Sequence, residues 1–585
     1  MRRTKIVATI GPASDSVEVL EQLLHQGVNV ARLNFSHGTH EEHEQRIVNI
    51  RRASAATGIP VAIMVDTKGP EIRTKTVEGG KVSLDHGQTI ILSVGDFVGN
   101  ADKVAITYDS LAEDVKTGDR ILIDDGLIEL QVTEIRQQDV VCKVINGGIL
   151  KNNKGINLPG ITSKLPSITE KDEQDILFAI EQGVEFIAAS FIRKAVDVLH
   201  IYDILERHHS SIQVISKIES NEAVDNLDEI LEVSAGIMVA RGDLGVEIPP
   251  EQVPLVQKTI IKKCNLAGKP VVTATQMLDS MQRNPRPTRA EASDVANAIL
   301  DGTDAIMLSG ETAAGDFPVD AVRMMAQIAE AIEFSDVYQE VLRQHEYVNT
   351  DTQSITGALS QAVANAGTRL SAKAIVTSTS SGYTARMVSK YRPCSQIIAV
   401  TPNPIVSRQM LLSWGVLPVL GQETRSTDEM FRVAIDAAMQ SDGIKSGDLI
   451  IITAGVPVGQ RGSTNLMKIH IIGDIVCRGT GVGEKSVSGN VRICRTAEQA
   501  VRELQEGEIL VMYATDKDVM SVIEKAKAII TEEAGVTSHA AIVGISLGIP
   551  VIVGAKGVLE KLQTGDEVTV DASRGNVYSG RAEVI

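Results

Sequence analysis

Two short stretches hold the residue types from which phosphate chemistry can be built. SIQVISKIES ends on Lys217 and Glu219, and GIMVARGDLG ends on Arg241, Gly242 and Asp243. Each opens with a β-branched apolar run, as a fully buried strand does, and closes on charged groups that such a strand cannot hide. Lys217 and Glu219 are two residues apart, so on a strand both point to one face, roughly 7 Å from each other. Glu219 and Asp243, at the mouths of neighbouring strands, can clamp one divalent cation. Lys217 beside them supplies a point charge for a phosphate or an oxyanion. A structural ion network at a barrel rim explains any one of these residues, but it explains the whole constellation poorly.

Such groups need a scaffold that delivers them to one place. The first 69 residues alternate strand and helix: Lys5–Ile10, a helix near Val17–Gln26, Val28–Leu33, a helix near Glu41–Thr57, then Val61–Val65. From Gly69 to about Leu165, short alternating runs such as TIILSV and RILIDDGLIELQV are broken by Gly, Asp and Asn, the texture of a small β-barrel or sheet. Strand–helix alternation resumes at Thr169, with strands at Phe186–Ser190, Gln213–Ile218, Gly236–Ala240, Pro270–Thr275 and Asp304–Ser309. Three strands before the β segment and five after it make eight, the number that closes a (β/α)8 barrel. Active groups in such barrels sit at the C-terminal ends of the strands. The polar residues fall there repeatedly: Arg32 and Asn34, Asp66 to Lys68, Lys217 and Glu219, Arg241 and Asp243, Thr275, and Ser309 with Glu311. Incidental surface residues would scatter over both faces of the barrel.

A helical linker, Asp320–Tyr347, leads to a third unit whose strands (Ala374–Thr377, Ile397–Val400, Val416–Val419, Leu449–Thr453 and Ile469–Ile472) alternate with helices, as in a doubly wound open sheet. Its first strand runs into Ser378-Thr379-Ser380-Ser381-Gly382-Tyr383-Thr384 and then a helix. Hydroxyls and backbone amides at a helix start make a phosphate site, although a plain capping turn has the same composition. A second glycine-rich loop, Gly455–Gly462 with Arg461, follows another strand and could close over the same ligand. The run Gly479–Gly483 reads as a glycine hinge before a last unit of mixed strand and helix, centred on Val536-Thr537-Ser538-His539-Ala540-Ala541.

Composition sets the outer limits. For 585 residues, a prior of about 150 per domain suggests roughly four domains. With 43% hydrophobic residues but 3% aromatic, the cores must be aliphatic, which together with 48 Gly favours α/β layers. A net charge of −18 argues against nucleic acid and anionic membranes as partners, while leaving room for small anions in a local nest of cations. Five scattered Cys without metal-like spacing point to a reduced, cytoplasmic protein. No signal peptide and no run of about 18 apolar residues is evident.

The motifs KIVATIGPAS, VNVARLNFSHG, DTKGPEIRT, NNKGINLPG, SKIES, MVARGDLGVE, TATQMLDSM, PTRAEASDVANAI and DAIMLSGETAAG, in this order and spacing over residues 1 to about 473, resemble the pyruvate kinase family closely. EAGVTSHAAIVGISLGIPVIVG resembles a different family, the swivelling phosphohistidine domain of phosphoenolpyruvate synthase and pyruvate phosphate dikinase. Together the resemblances imply a (β/α)8 barrel from residues 1–69 and 166–345 with an inserted β-barrel lid at 70–165. An α/β effector domain at 346–474 and a β/β/α extension at 475–585 complete the expected fold. The implied activity is transfer of the phosphoryl group of phosphoenolpyruvate to ADP, by a homotetramer under allosteric control of a phosphorylated metabolite.

Mg²⁺ (or Mn²⁺) would sit on Glu219 and Asp243, and Arg32 and Arg73 would fork the phosphoryl oxygens. The resemblance assigns Lys217 to the charge in flight and to the enolate. It assigns Thr275, Gly242 and Asp243 to the substrate carboxylate, and Asn34, Arg73 and Lys154 to ADP or ATP. It also places K⁺ among Asn34, Ser36, Asp66 and Thr67. In the family the position of Glu71 is Glu or Lys, and Lys replaces the charge of the monovalent ion, so Glu71 implies a requirement for K⁺. Protonating the enolate carbon needs an acid on its other face, with Thr275, Ser309 and Glu311 as candidates. In the effector loop the expected phosphate contacts are Ser378, Thr379, Ser380, Ser381, Gly382 and Thr384. His539 stands at the phosphohistidine position, but Glu533-Ala534 replaces the first of that family's paired glycines. A structural or regulatory role is therefore expected for the extension.

Overall fold

The computed structural model describes residues 2–161, 164–348, 354–441, 443–445, 447–456, 464–473 and 475–580. Eight parallel strands close into a barrel: Lys5–Thr9, Val30–Asn34, Ala62–Asp66, Phe186–Ala189, Gln213–Ile218, Gly236–Ala240, Val271–Ala274 and Ala305–Leu308, each beside its successor and the last beside the first. Six of the eight barrel strands are buried along their whole length, and the second and fifth at all but one end residue, which is why they read as largely apolar runs. Met64, Phe186, Ile215, Met238, Val272 and Met307 fill the interior, while the surrounding helices bury their apolar stripes against the outer face. Sequence-encoded caps set the helix limits. Helix His40–Thr57 starts in a capping box between Thr39 and Glu42 and stops at Gly58, whose φ of 69° suits glycine.

The chain divides into two compact units: Met1–Thr350 with Arg408–Val416, and Asp351–Ser407 with Leu417–Ile585. The short return segment of the first unit lies inside the stretch expected to build the α/β sheet. Leu411 and Leu412 join the apolar interior of the barrel, Lys5 Nζ donates to the Val416 carbonyl at 2.7 Å, and Arg408 pairs with the buried carboxylate of Glu185.

The inserted segment is a seven-stranded sheet in the order Ile72–Arg73, Gly155–Asn157, Arg120–Ile123, Ile128–Arg136, Asp139–Asn146, Thr89–Val94, Lys103–Ile106. Its outer strands meet where Thr74 bridges Ile106 and Thr107 N donates to the Arg73 carbonyl at 2.9 Å, so the sheet closes into a small barrel with its own core. The joint to the main barrel is Gly69, at φ 70°. A Cβ there would lie 2.7 Å from the Phe191 ring and 2.9 Å from Ser190 Cβ. Asp172 closes the capping box of helix Glu170–Glu181 with one oxygen and accepts from Gly69 N with the other at 2.9 Å.

In the second unit, a five-stranded sheet runs Val416–Leu420, Gln396–Thr401, Ala374–Ser378, Leu449–Gly455, Thr464–Ile471, the last strand antiparallel and longer than the pattern indicated. The C-terminal part is an eight-stranded sheet that begins with Ile475–Arg478. The glycine hinge expected at 479–483 is corrected. Thr480–Val482 is a strand paired with Val551–Val553, Gly479 N donates to the Gly575 carbonyl at 2.9 Å, and a Cβ on Gly481 would fall 1.7 Å from the Ala572 carbonyl oxygen. These glycines allow backbones to touch, a role that composition alone does not separate from flexibility. Among the described residues no helix is long and apolar enough to cross a membrane.

Candidate active site

The barrel delivers its charges to one end. Lys217 Nζ lies 3.1 Å from Asp66 Oδ1 and 2.8 Å from Glu219 Oε1, and donates to Ser190 Oγ at 2.7 Å. Arg32 Nε reaches Asp66 Oδ2 at 2.6 Å, and its Nη1 donates to Thr9 Oγ1 at 2.9 Å. Residues from the first five strands thus share one network. Its members are almost fully buried, with Lys217 9%, Glu219 2% and Asp66 1% exposed, so each charge must be met by another.

Asp243 completes the cluster from an unexpected element. Arg241–Glu247 is a short helix rather than a strand continuation, and its first turn brings the Asp243 carboxyl into hydrogen-bonding contact with Glu219. Burial, and then the charge of Glu219, push the Asp243 carboxyl up to about 7, with Lys217 acting in the opposite direction. Burial would lower Lys217, but Asp66 and Glu219 outweigh it and raise its pKa. Burial would likewise raise Asp66, which Arg32 and Lys217 instead hold below the usual carboxylate range. Two cations, Arg32 and Lys217, face three carboxylates. A divalent cation between Glu219 and Asp243 would turn the single net negative charge into a single net positive one, suited to an anionic substrate. It would also relieve the Glu219 repulsion that adds to burial in raising Asp243.

Beside this cluster Gly242 N donates to Thr275 Oγ1 at 2.8 Å. Thr275 and Gln276 have φ of 66° and 54°, a left-handed pair that costs of order 1–3 kcal/mol per residue and persists only where its surroundings enforce it. A cleft of about 430 Å³ opens between lid and barrel, lined by Asp243, Glu71, Arg73, Asp124, Lys154 and Glu247 among others. Arg73 Nε lies 2.6 Å from Glu71 Oε2, and Lys154 Nζ lies 2.7 Å from Asp124 Oδ1.

Residues 1–322 match the family described as pyruvate kinase, barrel domain, and residues 357–470 match pyruvate kinase, alpha/beta domain. The chain is 57% identical to a pyruvate kinase of Geobacillus stearothermophilus and 56% identical to one of Bacillus licheniformis, over the full length of both partners in each comparison. The chain belongs to the pyruvate kinase family. It is a phosphoryl-transferring enzyme. Residues 504–575 match a further family, PEP-utilising enzyme, mobile domain. A pyruvate kinase of Sporosarcina psychrophila, 54% identical, is also matched from end to end.

Among the residues expected to make the monovalent-cation site of a pyruvate kinase, Asn34 and Asp66 are direct partners on adjacent strands, and Asn34 Oδ1 accepts from Ser36 N at 3.1 Å. Thr67 Oγ1 accepts from Ser190 N at 3.2 Å. Glu311 is buried, and its carboxylate accepts from Ser309 N at 2.7 Å and Leu278 N at 3.1 Å.

In the loop after Ala374–Ser378, Gly382 adopts φ 76° at the start of helix Tyr383–Ser389. Ser380 is exposed and Ser381 half-buried. Thr379 N is committed to the Val400 carbonyl and Thr384 Oγ1 to Thr464 Oγ1. Of the second loop, Gly455–Gly462, residues 457–462 with Arg461 lie outside the described residues. His539 begins helix His539–Leu547, with Nδ1 3.0 Å from Thr515 Oγ1.

Three participants were missed from sequence. Ser190 directly follows the fourth strand, where the rule that singled out Lys217 applied equally. Phe191, at φ 55°, donates its N–H to Glu219 at 2.6 Å, and nothing local signals that. Thr9 holds Arg32 from the first strand.

Proposed function

We propose that the barrel-mouth cluster transfers the phosphoryl group of phosphoenolpyruvate to ADP, giving pyruvate and ATP. The observation that carries this is the buried set of Arg32 and Lys217 facing Asp66, Glu219 and Asp243, beside a cleft large enough for a nucleotide. Phosphoryl transfer needs charge neutralisation and alignment more than covalent chemistry.

In this reading Glu219 and Asp243 hold Mg²⁺ or Mn²⁺. Two carboxylates suffice for an ion that shares its shell with substrate oxygens and water. The ion would supply charge neutralisation at the phosphoryl and enolate oxygens. Arg32 and, on lid closure, Arg73 fork the phosphoryl oxygens, and Lys217 stabilises the charge as it moves. Thr275 Oγ1 with the amides of Gly242 and Asp243 holds the substrate carboxylate. Asn34, Arg73 and Lys154 face ADP. Protonation of the enolate is assigned to Thr275, Ser309 and Glu311 as alternatives. Burial raises the Glu311 carboxyl pKa, while the Thr275 hydroxyl already donates to the Ala274 carbonyl at 2.7 Å.

We assign K⁺ to Asn34, Ser36, Asp66 and Thr67 in the same reading. A coupled assay of pyruvate formation from phosphoenolpyruvate and ADP with Mg²⁺, with and without K⁺, tests the whole reading. No pyruvate under any of these conditions would refute it. Glu71→Lys is expected to keep activity within about threefold on K⁺ removal, because the ammonium supplies the missing charge, whereas the parent loses about tenfold or more. Equal K⁺ dependence in both would remove the cation from this site.

The boundaries 1–69 with 166–345, 70–165, 346–474 and 475–585 are proposed as the functional divisions. Within 346–474 the loop Ser378–Thr384 is proposed to bind a phosphorylated effector that shifts substrate affinity. Gly382 opens the backbone there, and Arg386, its pKa lowered by burial, donates to the Ser381 carbonyl. Replacing Ser380 and Ser381 by Asp should abolish activation, and unchanged activation would place the effector elsewhere. The outer strand Thr464–Ile471 exposes Met467 and Ile469, which suits burial in a homotetramer. Cys142, Cys264, Cys477 and Cys494 are buried and Cys394 is exposed. The cytoplasmic location is proposed on the scattered spacing of these five. The C-terminal extension is assigned a structural or regulatory role, since the barrel chemistry is complete without His539.

A further inference from the structure

The side chain of Arg241 turns away from the cation cluster and crosses to the neighbouring strand end. Nε donates to the Ala274 carbonyl at 3.1 Å and Nη2 to the Thr275 carbonyl at 2.7 Å, with Met277 Sδ 2.8 Å from Nη2. The other edge of the guanidinium is anchored. Nη1 donates to Asp294 Oδ1 at 2.8 Å and Gln257 Oε1 at 3.4 Å, and Nη2 lies 2.7 Å from Asp294 Oδ2. The Arg241 side chain is only 11% exposed.

The two carbonyls that Arg241 holds bracket Thr275, the first of two consecutive left-handed residues. Left-handed backbone at a threonine is not self-sustaining and needs neighbours that fix it. The backbone of Arg241 leads directly into Gly242, whose amide meets Thr275 Oγ1 at 2.8 Å. One residue therefore sets both sides of a small polar cradle, through its peptide on one side and its guanidinium on the other. A planar fork can engage successive carbonyls and a carboxylate together, which a lysine ammonium cannot reproduce.

We propose that Arg241 is a positioning residue that fixes the spacing between the Gly242 amide and the Thr275 hydroxyl. It thereby sets affinity for the carboxylate end of the substrate. The inference rests on the reading that these two groups hold that carboxylate. Asp294, on helix Arg289–Leu300, keeps the guanidinium in register. A purely structural Arg241–Asp294 pair would stabilise the barrel without distinguishing one substrate from the other, and that difference is measurable.

Steady-state kinetics of R241Q, R241K, D294N and T275A in the full-length protein, with melting temperatures, make the test. R241Q is expected to raise KM for phosphoenolpyruvate about tenfold while KM for ADP stays within about twofold. R241K should fall between parent and R241Q, and D294N should shift the same constant less. If T275A raises KM for phosphoenolpyruvate but R241Q does not, the role of Arg241 is overturned and the carboxylate reading stands. If T275A leaves that KM unchanged, the carboxylate reading fails and takes this inference with it. Equal rises in both KM values for R241Q, with a lowered melting temperature, would make Arg241 structural only. Should R241Q fail to fold, R241K and D294N decide. A rise selective for phosphoenolpyruvate supports the proposal, and its absence in both overturns it.

Discussion

Replacing Lys217 by methionine is expected to lower kcat by about a thousandfold or more, with KM for phosphoenolpyruvate changed by less than about fivefold. Methionine keeps most of the apolar length that packs in the barrel mouth and removes only the charge. In the resting cluster the ammonium is shared among Asp66, Glu219 and Ser190. Asp66 keeps Arg32, and Glu219 keeps the Phe191 amide, so neither carboxylate is stranded by the change. What disappears is a fixed cation next to atoms whose charge shifts during transfer, and that loss falls on the transition state more than on binding. The cluster also becomes more negative by one charge, so the demand for a divalent cation should tighten. Initial-rate measurements at saturating Mg²⁺, with melting temperature as the fold control, check this. A variant retaining half the parental kcat would take Lys217 out of the mechanism.

Glu219→Gln should raise the Mg²⁺ concentration needed for half-maximal activity by about 10–100-fold or more, and chelation should abolish the parent's activity outright. Glutamine can still accept from Phe191 N, so the loop geometry survives while one of two anionic ligands is neutralised. Partial recovery at high Mg²⁺ is the expected signature. An activation constant equal to the parent's would place the divalent ion elsewhere.

All eight barrel strands were legible in the sequence, mostly to within a residue at each end, for one reason. A parallel strand covered on both faces is apolar throughout, so its limits are marked by the first polar residue. The same rule put Arg32, Asp66, Lys217 and Thr275 at one end of the barrel before any coordinates. It put Asp243 there too, beside Glu219, but missed the element that carries it, because the chain turns into a helix immediately after Ala240. It also misjudged the glycines at 479–483. Glycine enrichment reports only that Cβ is excluded, and a crowded strand crossing excludes it as firmly as a flexible joint favours its absence.

By itself the sequence determined the barrel, the inserted β segment, the kind of chemistry and the family, because periodicity and motif spacing are local properties of the chain. Only the tertiary structure decided which groups share one charge network, since Lys217 and Asp66 meet across 151 residues of chain. It alone placed Leu411 and Leu412 in the barrel interior, far from the strands they pack against. It alone turned the Arg241 guanidinium onto the Thr275 turn rather than toward the cation cluster. Each of these is a contact between distant segments, fixed by packing and charge balance in three dimensions, and no local pattern in the chain encodes its partner.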